Sequence, residues 1–311
     1  MHTRGHTRKR LRHLPWRTAG DELLRVVPAV PQVSAVVTAW AHSPPLGDCL
    51  RSVRRAERYL EGAVEIVVVD NGHVQDHPDE LDGLWDHWIE SPRNLGPSRG
   101  RNLGARAASA AIVAFIDDDA TVDPAYFQNA LPYFGDPSVV GLRGRVRSRR
   151  HPLYTAVASH YDRGPVVVDD ALITEGASLL RRRAFLEAGG FPENVDGHEG
   201  IELTYRLLRH SPDDSTLYAP DVVLEHDYAV SLPDFVQKSI RHALSRVDIR
   251  NRQPDAAQYL EDYFDRSFPG SPTPSAPYRL VRAGLRCLRT GLRLCAKWTS
   301  GLLAQERRPS T

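Results

Sequence analysis

The sequence is short of cysteine, lysine and long apolar runs, and the first and last of these shortages each remove a class of protein. Its 311 residues contain three cysteines, Cys49, Cys287 and Cys295. That number is odd, and the three are widely split without metal-like spacing. A disulfide framework or a zinc site is therefore not expected, and a reducing compartment fits. No apolar run approaches the ~20 residues that a membrane-spanning helix needs. The first twenty residues are basic, but no apolar stretch follows them, so a secretory leader is not expected. Lysine occurs only as Lys9, Lys238 and Lys297 among 40 basic residues, and no mechanism follows from that.

What is present is an ordinary globular composition, 41% hydrophobic and 25% charged, with an uneven charge layout. The formal net charge is +1. Residues 1–20 carry +6 and residues 278–311 carry +7, which leaves −12 on 21–277. An acidic body with two basic ends makes the total a poor guide to partners. An anionic ligand bound by the body needs local basic residues or a metal ion.

Read along the chain, residues 1–30 form a basic lead-in. VSAVVTA (33–39), EIVVVD (65–70) and IVAFIDDD (112–119) are apolar runs without period-2 alternation, the pattern of strands buried on both faces. WDHWIE (85–90) is a shorter strand candidate. Helices are predicted over 46–61 and 97–111. Strands alternating with helices predict an α/β fold with a mainly parallel sheet, whose ligands gather at the carboxyl ends of the strands. Thr38, Ala39, Asp70 and Asp117 to Asp119 are therefore the residues to inspect. Further strands are predicted over 139–146, 171–182 and 215–227, with helices over 198–210 and 231–249. Residues 266–277 read as a Pro/Ser/Gly linker, which bounds a main domain at 31–265. Beyond it, residues 278–311 form a helical extension. Its apolar positions Val281, Leu285, Leu288, Leu292 and Cys295 run beside a basic stripe of Arg282, Arg286, Arg289, Arg293 and Lys297.

Several ordered motifs carry a resemblance. VVTAW closes the first strand, and VVVDNG ends the second on Asp70. NLGPSRGRNLG spans 94–104 and FIDDDA follows it. EGASLLRRRAFLEAGGF, HEGIELTYR and VVLEHD come after. In this order they resemble the family 2 inverting glycosyltransferases with the GT-A fold, over roughly 33–230. The resemblance implies a Rossmann-like sheet flanked by helices. It also implies a metal-dependent transfer of a sugar from a nucleotide-sugar, a UDP-sugar first, to an acceptor hydroxyl by single displacement. The acceptor class stays open among glycan, lipid and small molecule.

The residues can be read chemically beside that resemblance. Three adjacent acids at a strand end repel one another, and a divalent cation relieves the repulsion; hard oxygen ligands suit Mn²⁺ or Mg²⁺. The same acids could cap a helix. By resemblance, Asp117 and Asp118 reach the nucleotide-sugar, Asp119 and Asp117 hold metal, and His226 is a further metal ligand with Asp227 as its support. Asp70 would accept from the base N–H, with Thr38 and Ala39 nearby. Arg101, or Arg99 in its place, would meet the base or a phosphate; a solvated helix face is the plain alternative. Gly176 would let backbone approach the sugar. Single displacement needs a base for the acceptor proton. Where the family usually offers Asp, this chain has Gly200, so Glu199 and then Asp196 are the candidate bases. Glu202 has a structural explanation in an i,i+4 pair with Arg206.

Two other function classes remain open. A sugar-phosphate nucleotidyltransferase normally needs a basic Gly-rich loop after the first strand, and AWAHSPPLGD has no Lys or Arg. A non-catalytic nucleotide-sugar or membrane-binding protein is motivated by Gly200 and the basic ends. The C-terminal helix could lie on an anionic membrane surface or dock on the acidic body. Nucleic acid is not an expected partner, because the aromatic interleaving of stacking sites is missing. The expected setting is cytoplasmic, free or peripheral on the inner face of a membrane.

Overall fold

The computed structural model describes residues 31–40, 45–60, 63–72, 79–155, 158, 160–265, 279, 283–285, 287–288 and 290–295. The lead-in over 1–30 and the linker over 266–277 lie outside them. The elements run β1 (Val33–Ala39), α1 (Leu46–Glu57), β2 (Val64–Asn71), β3 (His87–Ser91), α2 (Pro97–Ala107), β4 (Ile112–Asp117), β5 (Thr121–Val122) and α3 (Tyr126–Ala130). They continue with β6 (Val139–Arg147), α4 (Pro152–Thr155), β7 (Val168–Asp169), β8 (Ala177–Arg181), α5 (Arg182–Glu187), α6 (Glu199–His210), β9 (Ser215–Glu225), α7 (Leu232–Arg252) and α8 (Pro254–Asp265).

The described strands form one sheet ordered β3-β2-β1-β4-β8-β6-β9-β5, with β7 on β9. Its first half is parallel, as the unbroken apolar runs predict. β2 is buried along its whole length, and β1 is buried except at Thr38. Each Val or Ile sealed this way contributes on the order of 1.5–3 kcal/mol. α2 lies close on β1 because it turns two glycines inward. A Cβ on Gly104 would sit 2.3 Å from Val36 Cγ1, and one on Gly100 2.5 Å from Thr38 Cγ2.

The second half departs from the parallel expectation. β8 pairs antiparallel to both β4 and β6, and β5 and β7 pair antiparallel to β9. Only β6 and β9 restore a parallel pair there. The strand expected over 171–182 is correspondingly short, and residues 170–176 form a loop before it. α8 packs against α6 and α7 around Ile201, Ile249, Leu260 and Tyr263. The C-terminal extension is helical where described, and its Leu285 is buried in the main core with Phe235. No helix among the described residues is long and apolar enough to cross a membrane.

Candidate functional site

Parallel pairing brings three strand ends to one edge. Thr38 lies opposite Asp117, and Ala39 opposite Asp70. The Thr38 hydroxyl is buried without a hydrogen-bond partner among the described residues. Asp70 is fully buried, and its carbonyl accepts from the Gly72 N–H at 3.2 Å. Beside this row Trp40 is 63% exposed, and its backbone N–H points at Asp118, 3.4 Å away. An exposed indole at a strand end, next to a polar row, is a surface on which a nucleobase can stack.

The second part is the acid cluster. β5 pairs with the end of β9, Thr121 opposite Glu225, and this carries His226 alongside the residues that follow β4. Asp117, Asp119 and His226 each offer a ligand atom within 4.8 Å of the others. His226 Nε2 is 3.3 Å from Asp119 Oδ1. Its Nδ1 is 3.1 Å from the Tyr161 hydroxyl. Burial disfavours the imidazolium, but the hydrogen bond and charge of Asp119 outweigh it and raise the His226 pKa. Burial also disfavours the Asp119 carboxylate, and His226 outweighs that to lower its pKa. Two carboxylates and an imidazole on two short segments fit a hard or borderline divalent cation.

A cavity of about 280 Å³ opens beside this cluster, lined by Arg101, Asp117, Tyr161, Glu175, Gly176, Asp196, Glu199 and His226 among others. Arg101 projects from α2 and donates to Asp117 at 2.5 Å. Burial opposes its charge; Asp117, Glu175 and Glu199 overcome it and raise its pKa. Gly176 is pressed against the acid cluster, since a Cβ there would lie 2.1 Å from the Asp117 carboxyl. The far wall is the start of α6. His198 caps it at φ 63, a left-handed conformation costly outside glycine. This places Glu199 at the first helical position, 6% exposed. The Gly200 N–H donates to Glu175 Oε1 at 2.7 Å. Burial first, and then the like charge of Glu199, push the Glu175 carboxyl up to about 8. Burial also raises Glu199, partly offset by the backbone N–H groups of Glu199 and Gly197 and the charges of Arg101 and Arg241.

Other expected residues stand elsewhere. Arg99 pairs with Glu193 at 3.2 Å and does not line the cavity. Asp196 lines the rim, 72% exposed, with Arg241 at 3.5 Å. Asp227 does not support His226. It accepts from Ser148 Oγ and from the N–H groups of Arg149, Arg150 and His151, and Tyr161 takes the imidazole instead. Arg206 is not spent on Glu202; its guanidinium bonds the carbonyls of Ala188 and Gly190, while Arg252 lies 3.7 Å from Glu202. The sequence reading missed Tyr161. It reached Glu175 only through the Glu175-Gly176-Ala177 tripeptide, read as a loop facing sugar or acceptor, where the weight fell on the glycine. It also missed Lys238, Arg241 and His242, which α7 brings to the lining from one helix face.

Residues 34–186 match the family model described as glycosyl transferase family 2, and the chain carries a domain of the family 2 glycosyltransferases. A pre-mycofactocin glycosyltransferase of Mycobacterium tuberculosis is 27% identical over 224 residues, covering 68% of this chain and 47% of that one. A glucosyl-dolichyl phosphate glucuronosyltransferase of Haloferax volcanii is 27% identical over 179 residues, covering 49% and 56%. The chain thus spans about half the length of these relatives. Among solved structures, the mannosyltransferase PcManGT of Pyrobaculum calidifontis, in complex with GDP-Man and Mn²⁺, superposes with TM-score 0.55 at 19% identity, covering 96% of this chain and 80% of that one. TarS 1-349 of S. aureus, in complex with UDP-GlcNAc, gives TM-score 0.51 at 16% identity, covering 75% and 72%. These likenesses establish the GT-A fold.

Proposed function

We propose that the protein transfers a sugar from a nucleotide-sugar to an acceptor hydroxyl by single displacement, with inversion and with the help of a divalent cation. One observation carries this reading. A single cavity is lined by Asp117 and His226 of the metal-ligand cluster and by the buried carboxyls Glu199 and Glu175. A leaving diphosphate needs the first and an attacking hydroxyl needs the second.

Asp117, Asp119 and His226 would hold Mn²⁺ or Mg²⁺, and the imidazole makes Mn²⁺ the first ion to test. When bound, the cation supplies charge neutralisation for the diphosphate and its departure. Arg101 fixes the Asp117 carboxylate and adds positive charge beside it. Thr38, Ala39, Asp70 and the face of Trp40 would seat the nucleoside, and Asp118 would steady the Trp40 backbone. Gly176 would admit the sugar against Asp117. A UDP-sugar is the donor proposed first. A GDP-sugar belongs in the same screen, because PcManGT was solved with GDP-Man. The proton acceptor belongs to the Glu199 and Glu175 pair. Asp196, solvated and beside Arg241, is the less buried alternative. The acceptor is a hydroxyl of a glycan, lipid or small molecule.

Gly200 raised the alternative of a non-catalytic binder. Glu175 supports the catalytic reading over it, because a carboxyl is bonded to the Gly200 N–H. The test is release of nucleoside diphosphate from UDP- and GDP-sugars with Mn²⁺. Transfer is expected to need the metal and to fall at least 100-fold in Asp117→Ala plus Asp119→Ala. Full activity of that double variant, or with EDTA, would remove the metal role. Pyrophosphate release from a nucleoside triphosphate would favour a nucleotidyltransferase instead.

A further inference from the structure

Four carboxylates line the cavity among the described residues: Asp117, Glu175, Asp196 and Glu199. Two are committed. Asp117 is held by Arg101 within the metal cluster, and Asp196 is 72% exposed beside Arg241. The choice of base therefore lies between Glu175 and Glu199, and their surroundings differ. Glu199 opens α6, where burial raises its carboxyl and its own and Gly197's backbone N–H groups, with Arg101 and Arg241, offset part of that.

Glu175 adjoins the acid cluster through the residue after it. The next residue, Gly176, packs against the Asp117 carboxyl. Glu175 Oε1 takes the Gly200 N–H. Gly200 itself can carry no side chain here. A Cβ there would lie 1.7 Å from the Leu172 carbonyl oxygen and 3.0 Å from Glu175 Oε1. Glu175 therefore brings a carboxylate to a place that position 200 cannot supply.

We propose that Glu175 is the catalytic base of this enzyme, with Glu199 as its neighbour in the same cavity; the inference rests on the glycosyl-transfer reading. The acceptor O–H bond breaks and its proton goes to Glu175 Oε2. The acceptor oxygen bonds to the anomeric carbon. The bond from that carbon to the diphosphate oxygen breaks, and its electron pair leaves on the nucleoside diphosphate. Removing such a base costs about 10²–10⁴-fold in rate.

The test compares wild type, Glu175→Gln and Glu199→Gln in hydrolysis of UDP-N-acetylglucosamine and GDP-mannose with Mn²⁺. Water is one acceptor and sodium azide the other. Azide arrives as an anion and needs no base. Glu175→Gln should lose at least 100-fold with water, regain nucleoside diphosphate release with azide, and keep its melting shift with donor plus Mn²⁺. Glu199→Gln should lose about tenfold with water and gain nothing specific from azide. If Glu175→Gln does not fold, Glu175→Ser carries the same expectation. The proposal is overturned if Glu175→Gln hydrolyses within threefold of wild type, if azide fails to restore it, or if azide rescues Glu199→Gln instead. Absence of release by wild type from either donor would instead overturn the glycosyl-transfer reading itself.

Discussion

Glu175 keeps one oxygen on the Gly200 N–H and has Glu199 beside it. Its carboxyl is raised from the ordinary 4.5 to about 8. A raised carboxyl holds its proton in the fold at pH values where the unfolded chain has lost it. Its contribution to stability is therefore complete below 4.5 and disappears as pH rises through about 8. Glu175→Gln cannot ionise, so the metal-free variant should gain melting temperature over wild type between pH 6 and 8.5, assay values chosen about that window. Near pH 4.5 the two should melt alike. Equal melting curves at every pH would show that the carboxyl is not perturbed. Asp119→Asn probes the metal-ligand cluster; it should abolish the Mn²⁺-dependent melting shift and leave the metal-free stability within about 1 kcal/mol, since Asp119 is half exposed. Much of this site was legible residue by residue. Asp117, Asp119, His226 and Glu199 each stand at a strand or helix end, where polarity breaks an apolar pattern. Glu175 was not, because an acid before a glycine looks like any turn, and only the fold shows what it reaches.

Among the elements, α2 is set by its glycines. Gly104→Ala would thrust a methyl into Val36 at 2.3 Å and push the helix off β1. A loss of about 1–3 kcal/mol is expected from such overpacking. The same shift would draw Arg101 from Asp117, so donor binding should weaken along with stability. Binding unchanged in a destabilised variant would separate the two. α6 has a like constraint, and Gly200→Ala should cost about 1–3 kcal/mol or more, because its obstacle is backbone carbonyl rather than a side chain. Elements with long apolar runs were legible in the sequence: β1, β2 and β4 fall within two residues of their expected bounds. The direction of β8 was not, since an apolar run reads the same in either sense. Neither was α8, whose acidic and aromatic residues show their pattern only against the faces of α6 and α7.

For the molecule as a whole, the uneven charge layout has a structural correlate. The acidic body contains the cavity, and the carboxylates there are balanced locally by Arg101, Arg241 and the proposed cation. The C-terminal basic helix sets Leu285 into the core, and Arg293 lies 5.8 Å from the Phe264 ring centroid. This favours docking on the body over a free membrane anchor. Leu285→Ala should then cost about 2 kcal/mol or more in thermal unfolding, as for a buried leucine. An unchanged melting temperature, together with binding to vesicles of anionic phospholipid, would instead favour the membrane surface. The most direct test of the central claim is the melting temperature of wild type and Asp119→Asn across a panel of UDP-, GDP- and dTDP-sugars, with and without Mn²⁺. At 100 times its Kd a ligand adds about 2.7 kcal/mol of stability. The account predicts that at least one donor shifts wild type only when Mn²⁺ is present, and that Asp119→Asn loses the shift. No shift with any donor, or a shift that survives both EDTA and Asp119→Asn, would contradict it.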